Sequence, residues 1–138
     1  MSHDIELVEL AERVVAFAEK HGADEVGCAV SEGSHVTIQR RGGKVEQATE
    51  ASTRGLTLSV LCDDRYSSNS TSDLRPEALE PFVLRAIEST RFLEAEPARR
   101  QPDGDLCGRG ATAEQLDQDD PYWSKRTAED RANYAKAL

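Results

Sequence analysis

The sequence contains no apolar run near the roughly 20 residues that a bilayer-spanning helix needs. Its first residues, Met1-Ser2-His3-Asp4, lack a basic stretch leading into an apolar one, so no secretory signal is expected. The expectation is a protein with no membrane partner and a cytoplasmic location. Clustered positive charge is missing as well. The formal net charge is −9, and the pairs Arg40-Arg41 and Arg99-Arg100 stand beside turns instead of forming a stripe. Phosphate backbones are held by clustered Lys and Arg through counterion release, so nucleic acid is not an expected partner.

Metal and redox motifs are absent too. The three cysteines, Cys28, Cys62 and Cys107, are far apart and form no C-x-x-C pair. In a reducing compartment such residues behave as small buried hydrophobes, and nothing in the sequence assigns them a role beyond packing. His3, His21 and His35 have no histidine partner at the spacing that would place two ligands on one face, and H-E-x-x-H and H-E-x-x-x-H do not occur. The run Ser67-Ser68-Asn69-Ser70-Thr71-Ser72 sits in no G-x-S-x-G elbow and has no evident base, so it reads as backbone-satisfying hydroxyls. Gly42-Gly43 and Gly108-Arg109-Gly110 are not placed as phosphate loops. Asp63-Asp64 and Asp119-Asp120 read as turns, being too few for a calcium loop. No catalytic, cofactor-binding or metal-binding residue is therefore expected, and the chain taken alone is expected to be inactive.

What is present is enough for one domain. The chain has 138 residues, of which 38% are hydrophobic and 31% charged, a composition that suits a small core with a broad polar surface. Residues 4–21 carry Leu7, Leu10, Ala11, Val14, Phe17 and Ala18 at helical spacing. Ser2 or Asp4 can cap the start, and Gly22 sits where a left-handed residue would end the helix. The period then changes to two. Val26, Cys28 and Val30 alternate with small residues, Gly33-Ser34 reads as a turn, and Val36 and Ile38 mark a second strand. Gly42-Gly43 is a hairpin signal, 44–53 a long polar strand, 55–62 the clearest strand and 65–71 a short polar one.

A helix follows, with Pro76 at its first position and Leu79, Phe82, Val83, Ala86, Ile87 and Thr90 on one stripe. Pro81 should either bend it or restart it. The expected fold is α+β: an antiparallel meander of about four to five strands covered on one face by two helices. Residues 1–93 would form this domain and 94–120 a linker or extended loop rich in Pro, Gly and polar residues. Residues 121–138 would begin a further helical segment, with Thr127 and Asp130 as an imperfect capping box. No Gly, Asn or Pro ends that last helix before Leu138. The chain accordingly reads as the amino-terminal fragment of a longer protein.

The order of these elements comes with particular strings. Gly22-Ala23-Asp24-Glu25 closes the first helix, Gly43-Lys44-Val45-Glu46 opens the polar strand and Arg54-Gly55-Leu56 opens the apolar one. Ser70-Thr71-Ser72-Asp73-Leu74 leads through Pro76-Glu77-Ala78-Leu79 into the second helix. Over residues 5–93 this resembles the amino-terminal domain of the TldD/PmbA family, also called TldE or modulator of DNA gyrase, and is most similar to the PmbA (TldE) branch. Asp120-Pro121 and Thr127-Ala128-Glu129-Asp130-Arg131 resemble the family's next helix start more weakly. Cys62-Asp63-Asp64-Arg65 departs from the family's glycine-containing turn, as Pro81 departs from its second helix.

The resemblance implies a metallopeptidase assembly of TldD- and TldE-like subunits, homo- or heterodimeric, that cleaves extended peptides. Its zinc would be held by an H-E-x-x-x-H helix of TldD-type subunits, outside this segment. No family catalytic residue maps onto this chain. The domain's implied part is a non-catalytic scaffold and wall of the substrate chamber. A stand-alone module that binds peptides or proteins along a sheet edge is the alternative, suggested by the polar strands near 44–53 and 65–71. A thiol redox protein built on Cys28 and Cys62 is a third.

Overall fold

The computed structural model describes residues 2–100, 102–106, 110–111, 113–117, 120–123 and 125–137, with backbone only for 2–5, 113–114 and 137. Cys107, Gly108, Arg109, Asp119 and Leu138, and the side chains of Ser2, His3 and Asp4, lie outside the described residues.

The elements run α1 (Ser2–Lys20), β1 (Glu25–Arg41), β2 (Lys44–Cys62), β3 (Arg65–Thr71), α2 (Pro76–Thr90), a 3-10 turn at Gly104–Leu106, α3 (Ala113–Leu116) and α4 (Ala128–Ala137). The sheet has three strands in the order β1-β2-β3, and α1, α2 and α4 are the substantial helices. This corrects the expected meander of about four to five strands under two helices. The cause is local. Gly33-Ser34 and Arg54-Gly55 were expected to punctuate the chain, yet both lie within unbroken strands. The extended ladder carries them, and Thr53 Oγ1 donates to the Gly33 carbonyl at 3.5 Å. A glycine ends a strand only where a left-handed residue is required. Gly33 has no such φ, whereas Gly42 (φ 57°) and Gly43 (φ 79°) do. Positive φ at both central residues makes the type I′ turn that matches strand twist.

The chain divides into two compact units, Met1–Gly33 with Thr53–Pro102 and Ser34–Ser52 with Asp103–Leu138. In the first, the core is the even-numbered side of β2. Leu56, Leu58, Val60 and Cys62 are at most 1% exposed and pack with Val14 and Ala18 of α1 and Leu79, Val83, Ala86 and Ile87 of α2. Burying a Leu or Val side chain contributes about 1.5–3 kcal/mol, so these residues dominate the unit's stability. Val26, Cys28 and Val30 add the β1 side of the same layer. Pro81 interrupts nothing: α2 is continuous from Pro76 to Thr90. Pro81 removes one backbone bond, and Leu79 and Val83 on either side stay buried.

Three hydroxyl and amide side chains tie β3 to α2. Asn69 Nδ2 donates to Ser67 Oγ at 2.8 Å, and Ser67 Oγ lies 2.6 Å from Thr90 Oγ1. Thr90, fully buried, donates in turn to the Ala86 carbonyl at 2.6 Å. The polar residues of β3 thus reach the core without an unsatisfied group.

In the second unit, the far ends of β1 and β2 form the hairpin around Gly42-Gly43. Every residue of β2 from Lys44 to Ser52 is exposed. Its charges are partly matched along the ladder, Arg41 to Glu46 at 3.5 Å. The capping box of α4 is formed: Thr127 N donates to Asp130 Oδ2 at 2.8 Å, and Asp130 N to Thr127 Oγ1 at 3.1 Å.

The end of α1 is a Schellman motif. Ala23 N bonds to the Ala18 carbonyl at 3.2 Å and Gly22 N to the Glu19 carbonyl at 3.1 Å, with Gly22 at φ 92°. A Cβ at Gly22 would meet only the flexible end of Arg91, so the cost of a side chain there is conformational. Gly22→Ala should lower stability by about 1–2 kcal/mol in urea denaturation. An unchanged midpoint would mean that the helix ends by other means.

Candidate functional site

Because even-numbered residues of β2 point at the helices, the odd-numbered ones point away. The β2–β3 register puts Thr57 opposite Ser70, Ser59 opposite Ser68 and Leu61 opposite Tyr66. On β1, Gly27, Ala29 and Ser31 alternate with the core-facing Val26, Cys28 and Val30, and Ser31 Oγ comes within 4.0 Å of where a Gly55 side chain would begin. The result is a sheet face of small and hydroxyl side chains with no charge from Gly27 to Ser31, at 55, 57 and 59, or at 66, 68 and 70. In a chain that is 31% charged, this is the surface from which charge is withheld. Depletion of charge is typical of the centre of an interface. Cross-strand hydroxyl contacts fix its side chains, Thr57 to Ser70 at 3.1 Å and Ser59 to Tyr66 at 3.2 Å.

One end of this face is closed. The Arg99 guanidinium lies 4.0 Å over the Tyr66 ring, and Leu61 beneath is only 4% exposed. With Glu25 and Arg100 these residues line a notch of about 170 Å³. Arg99 is paired with Glu96 at 3.5 Å, and Arg100 with Asp64 at 2.6 Å and Glu25 at 3.8 Å. The Ser59 hydroxyl, helped by the charge of Arg99, holds the Tyr66 phenol below its ordinary pKa, with burial opposing.

The β2–β3 turn anchors the same end. Asp63 (φ 49°) and Asp64 (φ 60°) are both left-handed, a conformation that Asp tolerates better than most residues. Local bonds hold them there. Asp63 N donates to Asp24 Oδ2 at 2.7 Å, and Glu96 N donates to the Asp64 carbonyl at 2.7 Å. Arg65 bonds both the Asp63 carbonyl at 3.0 Å and the Leu93 carbonyl at 2.9 Å. The residues after α2 are thereby folded back against the turn.

The residues singled out in the sequence do not converge. Burial pushes the thiols of Cys28 and Cys62 up, and Cys62 Sγ donates to the Gly22 carbonyl at 3.7 Å, so neither has the thiolate character that redox work requires. His21 donates from Nδ1 to the Phe17 carbonyl at 2.7 Å, and His35 pairs with Thr37 at 2.8 Å. Among the described residues, no group of three or more His, Cys, Asp or Glu side chains is placed to hold a metal ion. No helix among them is long and apolar enough to cross a membrane. The contact of Tyr66 with Arg99 is not legible in the sequence. Their spacing carries no signal, and only the β3 register with the return of the chain after α2 brings them together.

Residues 28–90 match the family model described as PmbA/TldA metallopeptidase domain 1. This central stretch of the chain is thus similar to the first domain of that family. Solved structures of similar shape agree. A protein of Bacteroides thetaiotaomicron described as a modulator of DNA gyrase superposes with a TM-score of 0.83 at 29% identity, covering 96% of this chain and 30% of its own. TldE of Thermococcus kodakarensis (TM-score 0.66, 16% identity, 88% and 26% coverage) shares the fold. So does a Thermotoga maritima protein described as a modulator of a DNA gyrase (0.56, 21%, 93% and 27%). The chain thus spans about 30% or less of the length of these structures. No curated protein matches it.

The Ser59–Tyr66 contact makes a checkable prediction. Ser59→Ala should move the Tyr66 titration, followed by NMR of the ring, upward toward the ordinary tyrosine value. A downward or absent shift would show that the phenol is governed by other groups.

Proposed function

We propose that this chain is a non-catalytic scaffold and substrate-chamber domain of a TldD/PmbA-type metallopeptidase that degrades extended peptides in the cytoplasm. It would work beside a TldD- or TldE-like subunit, with residues 1–93 as the working domain. Catalytic and metal-binding residues would come from the parent assembly, where zinc would polarise the scissile carbonyl. The observation that carries this reading is the match of residues 28–90 to the family's first domain. The uncharged hydroxyl face supports it. Such a surface can lie against another protein or an extended backbone without desolvating a charge.

A second reading has its own support. β3 ends at Thr71 opposite Leu56, so among the described residues β2 from 44 to 55 is paired on one side only. A free polar edge is the template used in strand addition, where main-chain bonds supply the affinity. Its charges Lys44, Glu46, Glu50 and Arg54 would discourage indiscriminate pairing.

The two readings separate in one experiment. The full chain, alone and mixed with a zinc-carrying TldD-type subunit of the same source, is incubated with a fluorogenic extended peptide. The scaffold reading expects no cleavage by the chain alone, co-migration of the two proteins and faster cleavage in the mixture. Cleavage by the chain alone would refute it. No co-migration, together with peptide-induced shifts confined to the amides of 44–55, would favour the edge-binding module.

A further inference from the structure

The helix side of the first unit carries a groove that neither reading of the function uses. It lies between α1 and α2, encloses about 270 Å³, and has Leu10, Phe17, Pro76 and Leu79 in its lining. Leu10 and Phe17 are only half-buried there, and Leu84, one turn beyond Glu80 on α2, is 43% exposed. Arg13 and Ala16 line the groove from α1 and Glu80 from α2. An apolar floor between two helices, with charge at its edges, suits the docking of another amphipathic helix.

Which helix fits it is written on α1. Glu9, Arg13, Ala16 and Lys20 follow one another at steps of four, three and four, so they share one exposed stripe along that rim. The side chains of Glu9, Arg13, Lys20 and Glu80 take no partner among the described residues. The stripe is its own complement when reversed. Laid antiparallel on a second α1, about a centre between Arg13 and Ala16, it sets each Glu9 opposite a Lys20 and each Arg13 opposite an Ala16. Every acid then faces a base, and a long side chain faces a small one. The same reversal brings Leu10 of one copy toward Phe17 of the other. A parallel arrangement would instead stack Glu9 on Glu9 and Lys20 on Lys20.

We propose that the α1–α2 groove is a docking surface for a second copy of this chain, joined through antiparallel α1 helices in an isologous pair. Apolar side chains of each copy cover the groove of the other, and the charged stripe fixes direction and register. This surface lies on the helix side of the sheet, opposite the uncharged hydroxyl face, so the two can be occupied together. The pairing neither needs a TldD-type subunit nor blocks one, and it stands or falls apart from the scaffold reading.

Sedimentation equilibrium of the full chain, from micromolar to millimolar concentration, should show a monomer–dimer equilibrium. Over the same range the amide NMR signals of 9–20 should move while those of 66–70 stay in place, a readout that needs no variant. Glu9→Lys and Lys20→Glu, each alone, should weaken self-association about tenfold or more, because each sets like charges together at two symmetric places. Mixed in equal amounts, the two variants should pair with one another within about threefold of the unsubstituted strength, since every facing pair is again of opposite sign. That recovery also excludes a folding defect in either variant. A chain that stays monomeric throughout would overturn the proposal. So would a dimer indifferent to both substitutions, which would assign association to another face, or variants that do not recover on mixing. Loss of the homodimer when a TldD-type subunit is added would overturn it too, assigning the groove to that partner.

Discussion

The first unit depends on the alternation of one strand. From Leu56 to Cys62, β2 sends every even-numbered side chain under α1 and α2, where all four are essentially inaccessible to water. Because the strand period is two, the odd-numbered side chains are committed to the opposite face. A one-residue slip would expose three large apolar residues and bury Thr57 and Ser59. The core therefore fixes both the register with β3 and the character of the outward face. Function, in this protein, inherits its surface from packing.

The same strand has two lives. Beyond Gly55 toward the hairpin it has no apolar side to bury, and every residue from Lys44 to Arg54 is exposed. A two-stranded ribbon in water is marginal, so this portion draws order from the Gly42-Gly43 turn and from packing within its own unit. At the other end of the strand, backbone carbonyls serve as anchors. Leu61 accepts from Asp24 N at 2.8 Å, and Asp64 from Glu96 N at 2.7 Å. Gly22 receives Arg91 and Cys62. The start of β1, the β2–β3 turn and the segment after α2 are stitched at one point. This is where Arg99 reaches Tyr66.

Much of this was legible in the sequence, for identifiable reasons. The stripes of α1 and α2 follow helical spacing, and their buried members Val14, Ala18, Leu79, Val83, Ala86, Ile87 and Thr90 were all in the expected sets. Gly22 and Gly42-Gly43 were readable because left-handed backbone leaves glycine as the natural choice. The strand count was not readable. Gly33-Ser34 has turn composition but sits in a ladder whose partner strand, with Thr53 20 residues along the chain, decides its conformation. The Asp63-Asp64 turn has the composition of one, but its support by Asp24, Glu96 and Arg100 is long-range. The pairing of Arg131 with Trp123 in the second unit is likewise a matter of tertiary placement, with no motif to announce it.

Native-state hydrogen exchange of the full chain tests the central claim, that β2 is a single strand anchored at one end by the core and open at the other. Amides of 56–62 should be among the slowest to exchange, opening only with global unfolding, while those of 44–54 exchange through local opening at far lower cost. Equal protection along the whole of β2, or rapid exchange at 56–62, would contradict the account.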